Sequence, residues 1–135
     1  MEARVPKPRP IPTADTAPFW AAVQRQELLV QRCKTCGCHQ FYPRSLCHRC
    51  WSDAPEWVPS PGKGRIYSFT VVSRPPNAAF QAPYIVAVAE LDEGVRMMAN
   101  LVACEPSAVY IDMPVRVVFV PHEDGLVPAF APAPA

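Results

Sequence analysis

Cys33, Cys36, Cys47 and Cys50 form two Cys-x-x-Cys pairs separated by ten residues. Two intervening residues let one tight turn aim both sulfurs at a single ion, and a second such turn completes the tetrahedron that Zn²⁺ prefers. Four thiolates fill every coordination position and leave no place for water or substrate. The ion they hold therefore stabilises a fold and does no Lewis-acid chemistry. One structural Zn²⁺ per chain is expected, with a rubredoxin-like iron centre as the alternative that uses the same ligands. Cys38 breaks the two-residue spacing and is read as a bystander. Cys104 has no paired histidine and is read as a packed thiol.

The remaining reactive residues do not assemble into a catalytic motif. His39, His48 and His122 are the three histidines. His48 lies inside the second cysteine knuckle, but a complete quartet has no need of it. Local sequence offers no Ser-His-Asp, Cys-His, paired-carboxylate or glycine-rich phosphate arrangement, so catalysis by this chain alone is not expected. A net charge of +1 without a basic run gives little electrostatic footprint for nucleic acid. No segment reaches the roughly 18 uninterrupted apolar residues that a membrane span needs. Cysteines spaced for metal, with no signal-like apolar segment near the start, point to the reducing cytoplasm.

The elements that position the cysteines can be read in order. Residues 1–14 carry four of the 18 prolines, favour polyproline II and are expected to form a flexible arm. A helix is expected over 15–27, with Pro18 in its first turn and Phe19, Ala22, Val23 and Gln26 on one face. Residues 28–60 read as the zinc ribbon. A strand from Leu28 to Arg32 enters the first knuckle, and Phe41 to Arg44 form a second short strand and its exit. Gly37, just after Cys36, can take the positive φ that a metal turn demands. Trp51 holds the matching place in the second knuckle, where an aromatic adopts that conformation only at a cost, so a looser turn is expected there.

After Gly62 and Gly64 come five apolar runs, Arg65–Ser73, Tyr84–Leu91, Val95–Val102, Pro114–Val120 and Leu126–Phe130. Turn signals at Asp92-Glu93-Gly94 and Glu123-Asp124-Gly125 separate two pairs of them. Glu105 to Met113 is long enough for one helical turn. Five short strands with an excursion between the third and fourth fit an OB-fold barrel over 61–130, and a small open sandwich would give a similar pattern. A Pro-Ala tail, 131–135, ends the chain. The expected fold is thus mainly β, with an N-terminal helix, a rubredoxin-like zinc ribbon and a five-stranded OB-fold barrel. The aromatics Tyr67, Phe69, Phe80 and Tyr84 with Lys63, Arg65, Arg74 and Arg96 could form a single-strand nucleic-acid groove, but they read better as core and loop anchors. The proline-bounded loop from Arg74 to Pro83 carries Phe80 with no evident reason for burial, which suits contact with a ligand or partner.

Taken together, the Phe19-Trp20 helix, LLVQRCKTCG, FYPRSLCHRC, the Gly-Lys-Gly linker before IYSFTVV, PPNAAF, PYIVAVAELDEGVRM, MPVRVVF and the final VPAF resemble the zinc-ribbon/OB-fold proteins associated with acyl-CoA metabolism. The likeness runs from about Phe19 to Phe130, and Trp51 departs from it, since a smaller residue is common after the last ligand. The resemblance implies a protein without catalytic residues that serves as a subunit of a thiolase-fold enzyme in a hetero-oligomer, with acyl-CoA at the shared interface. Retro-aldol cleavage of a steroid side-chain acyl-CoA is the implied partner reaction. Partnership with an enoyl-CoA hydratase and free-standing acyl-CoA binding are the alternatives. Phe19, Trp20, Arg74, Phe80 and Tyr84 are the residues expected to touch partner or acyl-CoA.

Overall fold

A computed structural model describes residues 7, 8, 10–123 and 125–134. Half of the arm, residues 1–6 and 9, lies outside the described residues, as do Asp124 and Ala135. Helix α1, Ala17–Gln24, buries Phe19, Ala22 and Val23, the expected stripe. It stops earlier than the apolar spacing predicts. The Gln26 N–H donates to the Val23 carbonyl and the Glu27 N–H to the Ala22 carbonyl, both at 2.9 Å, while Gln26 takes a left-handed φ of 59°. This six-to-one closure ends a helix, so Gln26 is exposed instead of continuing the buried face.

The ribbon is a three-stranded antiparallel sheet of β1 (Leu28–Cys33), β2 (His39–Gln40) and β3 (Pro55–Ser60), with β1 in the centre. β2 ends at Gln40, so Phe41 to Arg44 are not the expected strand. The Gln31 side chain takes over the pairing there. The Arg44 N–H donates to Gln31 Oε1 at 2.8 Å, and Gln31 Nε2 donates to the Arg44 carbonyl at 2.9 Å. A side-chain amide thus satisfies backbone groups that a ladder would otherwise hold.

Strands β4 (Lys63–Val72), β5 (Tyr84–Leu91), β6 (Arg96–Leu101), β7 (Pro114–His122) and β8 (Gly125–Pro132) close into a barrel in the order β4-β5-β6-β8-β7. Alternation along β5 turns Ile85, Ala87, Ala89 and Leu91 inward. Gly64 is needed where β4 crosses β5, because a Cβ there would collide with the Glu90 carbonyl. β8 continues through Pro132, two residues into the Pro-Ala segment, pairing Ala131 with Arg116. Glu105 to Met113 makes two separate turns, from the Ala108 N–H to the Glu105 carbonyl at 2.9 Å and from the Met113 N–H to the Tyr110 carbonyl at 3.2 Å, and no continuous helix. Its end is bound to β4 instead: the Asp112 N–H donates to Ile66 and the Ile66 N–H to Met113. Those backbone groups are therefore unavailable to a helix.

The barrel is closed weakly at one place. β6 and β8 run parallel and meet only at Leu101↔Phe130, supported by the Val102 N–H to the Phe130 carbonyl at 2.8 Å. Helix α1 packs beside β8, and its Gln24 supplies a side-chain substitute for a neighbouring strand. The Leu126 N–H donates to Gln24 Oε1 at 2.8 Å, and Gln24 Nε2 donates to the Leu126 carbonyl at 3.0 Å. One hydrophobic cluster joins Phe19 and Val23 of α1, Leu28 and Val30 of β1, and the barrel interior around Ile66, Met97 and Phe130.

Candidate metal centre and docking face

The two knuckles have the same backbone. The Gly37 N–H donates to the Cys33 carbonyl at 2.8 Å, and the Trp51 N–H donates to the Cys47 carbonyl at 3.0 Å. Gly37 has φ 74° and Trp51 has φ 65°. The expected looser second turn is therefore not found: the bond from the Trp51 N–H to the Cys47 carbonyl accompanies an aromatic in the left-handed region that glycine occupies at no cost in the first. Thr35 Oγ1 and Ser52 Oγ, 2.9 Å apart, join the knuckles at their rims.

This backbone brings the four sulfurs to one point. Cys33 and Cys50 lie 3.6 Å apart, as do Cys36 and Cys47, and all four lie within 4.8 Å of one another. A tetrahedron with zinc–sulfur bonds of about 2.3 Å has edges of about 3.8 Å, so the donor set fits Zn²⁺. The electrostatics also favour a cation. The Cys36 N–H, with smaller help from neighbouring groups, brings Cys33 down to about 6. The N–H groups of Cys50 and Arg49 likewise hold Cys47 below the usual thiol range. Cys50 receives the Ser52 N–H, which favours its thiolate, yet desolvation and the sulfurs of Cys33, Cys36 and Cys47 carry it up to about 12. Four adjacent thiolates repel one another, and a dication removes the conflict. Cys33, Cys36, Cys47 and Cys50 are the ligands of a structural zinc, which would cross-brace the two knuckles and leave no open position.

The other sulfurs and histidines lie outside this centre. Cys38 Sγ is 3.9 Å from His48 Nε2. Cys104, after β6, is half-buried and packs against the core. His122 Nδ1 sits 3.3 Å from the Pro8 carbonyl, and the Glu123 N–H donates to the Lys7 carbonyl at 3.0 Å, so the described part of the arm is tied to its own chain.

The residues expected to meet a partner separate into three places. Phe19 is 1 % exposed and belongs to the core, so it supports the surface from beneath and cannot touch a partner directly. Trp20 is half-buried, edge-on to Phe19 at 4.9 Å, and lines a groove. Phe80 and Tyr84 stack on each other at 5.7 Å, with Lys7 Nζ 5.6 Å from the Phe80 ring, while Arg74 is exposed in the same loop. Phe80 thus has an intramolecular reason for its half-burial that its sequence position did not reveal.

The groove beside Trp20 follows the weak seam of the barrel. It encloses about 440 Å³ between β6 and β8 and is walled by Trp20, Tyr42, Met97, Met98, Val127 and Pro128. Met98 is 70 % exposed and Tyr42 49 %, both large apolar groups for a surface. Neither is among the residues expected from sequence. The available signal was Met98 at an outward position of β6, where alternation calls for a polar residue.

Two family models match the chain: the rubredoxin-like zinc ribbon domain of ChsH2 over residues 20–56 and the C-terminal OB-fold domain of ChsH2 over residues 57–120. The chain is similar to a "probable enoyl-CoA hydratase alpha subunit" of Thermomonospora curvata, at 37 % identity over 94 % of this chain and 40 % of that protein. It thus spans about 40 % of the length of that relative. It is also similar to the benzoylsuccinyl-CoA thiolase subunit BbsA of Geobacter metallireducens, at 37 % identity over 52 % of this chain and 47 % of that protein. Among solved structures, a chain of the Ltp2-ChsH2(DUF35) aldolase superposes with a TM-score of 0.86 and 35 % identity, covering 93 % of this chain and all of that one.

Proposed function

Because the chain belongs to the ChsH2 family of rubredoxin-like zinc-ribbon and OB-fold proteins, we propose that it is a non-catalytic accessory subunit of a thiolase-like enzyme acting on acyl-CoA thioesters. The observation that carries this reading is the groove at the β6–β8 seam, where exposed Met98 and Tyr42 remain uncovered in the isolated chain. Among the described residues the one assembled chemical site is the closed thiolate quartet, which has no position for substrate. Chemistry is therefore assigned to another subunit, and the surface to its recognition. The names of the aldolase and thiolase-subunit relatives support a partner of that class. Within it, the favoured reaction is retro-aldol cleavage of a steroid side-chain acyl-CoA, in a cytoplasmic hetero-oligomer with the acyl-CoA near the interface. Arg74, Phe80 and Tyr84 form a second contact region in this reading.

Co-purification tests it. The native complex should contain a thiolase-fold enzyme, and Met98→Asp should release that enzyme while leaving zinc content and melting temperature unchanged, since Met98 is largely exposed. A protein recovered solely as a monomer would defeat the proposal. A second reading, partnership with an enoyl-CoA hydratase, is favoured by the hydratase relative, whose further length lies outside the region of similarity. Recovery of a hydratase in place of a thiolase-fold enzyme would select it.

A further inference from the structure

The zinc ribbon meets the β5–β6 hairpin in a second pocket of about 200 Å³, distinct in chemistry from the apolar groove. His39, Arg44, His48 and Arg96 line it, and no carboxylate does. We propose that this pocket binds a phosphoryl anion, with the Arg44 guanidinium as its principal charge. The inference does not rest on the docking reading: Phe41 and Arg96 line both cavities, but the principal charge, Arg44, lines this pocket and not the apolar groove.

Three observations carry it. First, the wall is built in advance. Gln31 and Gln40 are buried, and Gln40 Nε2 donates to Gln31 Oε1 at 2.7 Å and to the Leu46 carbonyl at 3.3 Å. That fixes the Gln40 amide, so its Oε1 is left to accept from the His48 N–H at 2.8 Å and from His48 Nδ1 at 3.0 Å. Gln31 in turn holds both backbone groups of Arg44. Two buried amides thus anchor the pocket residues by their main chain and leave the Arg44 side chain uncommitted. Second, Arg44 has no ion-pair partner among the described residues, whereas Arg96 shares Glu90 with Arg65. Positive charge in the pocket is therefore not neutralised at Arg44. Third, the lining side chains come from β2, the following loop, the second knuckle and the hairpin, so they surround a centre on several sides. Arg96 is shared with Glu90 and lies over the Tyr67 ring, and His48 Nδ1 is taken by Gln40, which leaves Arg44 as the uncommitted cation. A carboxylate offers acceptors on one edge only, whereas a phosphoryl group presents oxygens in every direction, and a guanidinium fork matches two of them.

The neighbouring hollow, which shares Arg44 and His48, is bordered by the exposed Trp51 ring. A free phosphate and the phosphate of a nucleotide are thus two sources of the same chemistry, and Trp51 is the group that would tell them apart by stacking.

Calorimetry on the zinc-loaded full chain tests the site with pyrophosphate and with ADP. Saturable binding is expected, and Arg44→Gln should weaken it about tenfold, the effect of losing a charged hydrogen-bond partner. Arg116→Gln removes the same charge from the exposed surface of β7 and should leave binding as it was. Zinc content and melting temperature should be unaltered in both variants, because the main chain of Arg44 keeps its clamp. Absence of saturation at millimolar pyrophosphate, or equal weakening by the two substitutions, would overturn the proposal. With binding established, tighter ADP identifies a nucleotide as the source, and equal affinities identify the phosphate group alone; either result sustains the site.

Discussion

At the scale of single residues, Glu90 shows how a surface charge is set by its neighbours. Arg96 and then Arg65 hold its carboxyl below the usual carboxylate range, with contacts of 3.2 and 2.9 Å. A depressed folded-state value stabilises the protein above the unfolded carboxyl's ordinary value of 4.5, and that contribution is lost as pH falls through the lower folded value. The melting temperature of the native protein should therefore drop faster on acidification below about pH 4.5 than that of Glu90→Gln. Acid loss of zinc affects both proteins alike, so the difference between their pH profiles isolates Glu90. Parallel profiles would show that the two arginines do not stabilise the carboxylate. At this scale the cysteine ligands were legible from spacing alone, because ligand geometry is nearly a local property. Trp51 was not: its positive φ belongs to the turn closed by the Trp51 N–H to Cys47 carbonyl bond, which outweighs the intrinsic preference of an aromatic.

At the scale of elements, the least legible feature was the use of glutamine side chains as surrogate strands. Gln31 caps Arg44 and Gln24 caps Leu126, each giving one donor and one acceptor. Both contacts depend on three-dimensional proximity, and the second spans 102 residues, so no local pattern reports them. The strands of the barrel were readable because alternation and turn residues are local, while the end of α1 turned on a left-handed φ at Gln26 that apolar spacing does not report, and the path between β6 and β7 was decided by its backbone bonds to Ile66 of β4. Gln24→Ala should cost about 1–2 kcal/mol, the worth of two partly exposed hydrogen bonds, read from the denaturant midpoint. The same variant should speed hydrogen exchange at the Leu126 amide, while amides in the β4–β5 ladder keep their protection. Unchanged exchange at Leu126 would mean that water replaces the glutamine without loss.

At the scale of the whole molecule, the zinc and the barrel are linked through one core, since Leu28 and Val30 of the ribbon sit in the same cluster as Ile66 and Phe130. Zinc sites of this type contribute an apparent 10–16 kcal/mol, comparable with the roughly 5–15 kcal/mol that separates folded from unfolded domains. Cys36→Ser, or a strong chelator, should release the metal and lower the melting temperature of the entire chain, with one cooperative transition monitored by metal analysis and calorimetry. A barrel transition that stays in place after zinc loss would show the two parts to be energetically separate. The order of modules was legible from sequence, but their shared core was not, because it is assembled from residues that are each apolar for local reasons as well.

The closure of the barrel at Leu101 and Phe130 has a mechanical consequence. A cylinder held by ladders of three or more pairs on four seams and by a single bridge on the fifth yields first at that bridge. Force applied to α1 reaches β8, against which the helix packs, and also β1 of the ribbon through the shared core. The protein can therefore adjust its girth to whatever presses against that seam, and the ribbon feels the adjustment through α1.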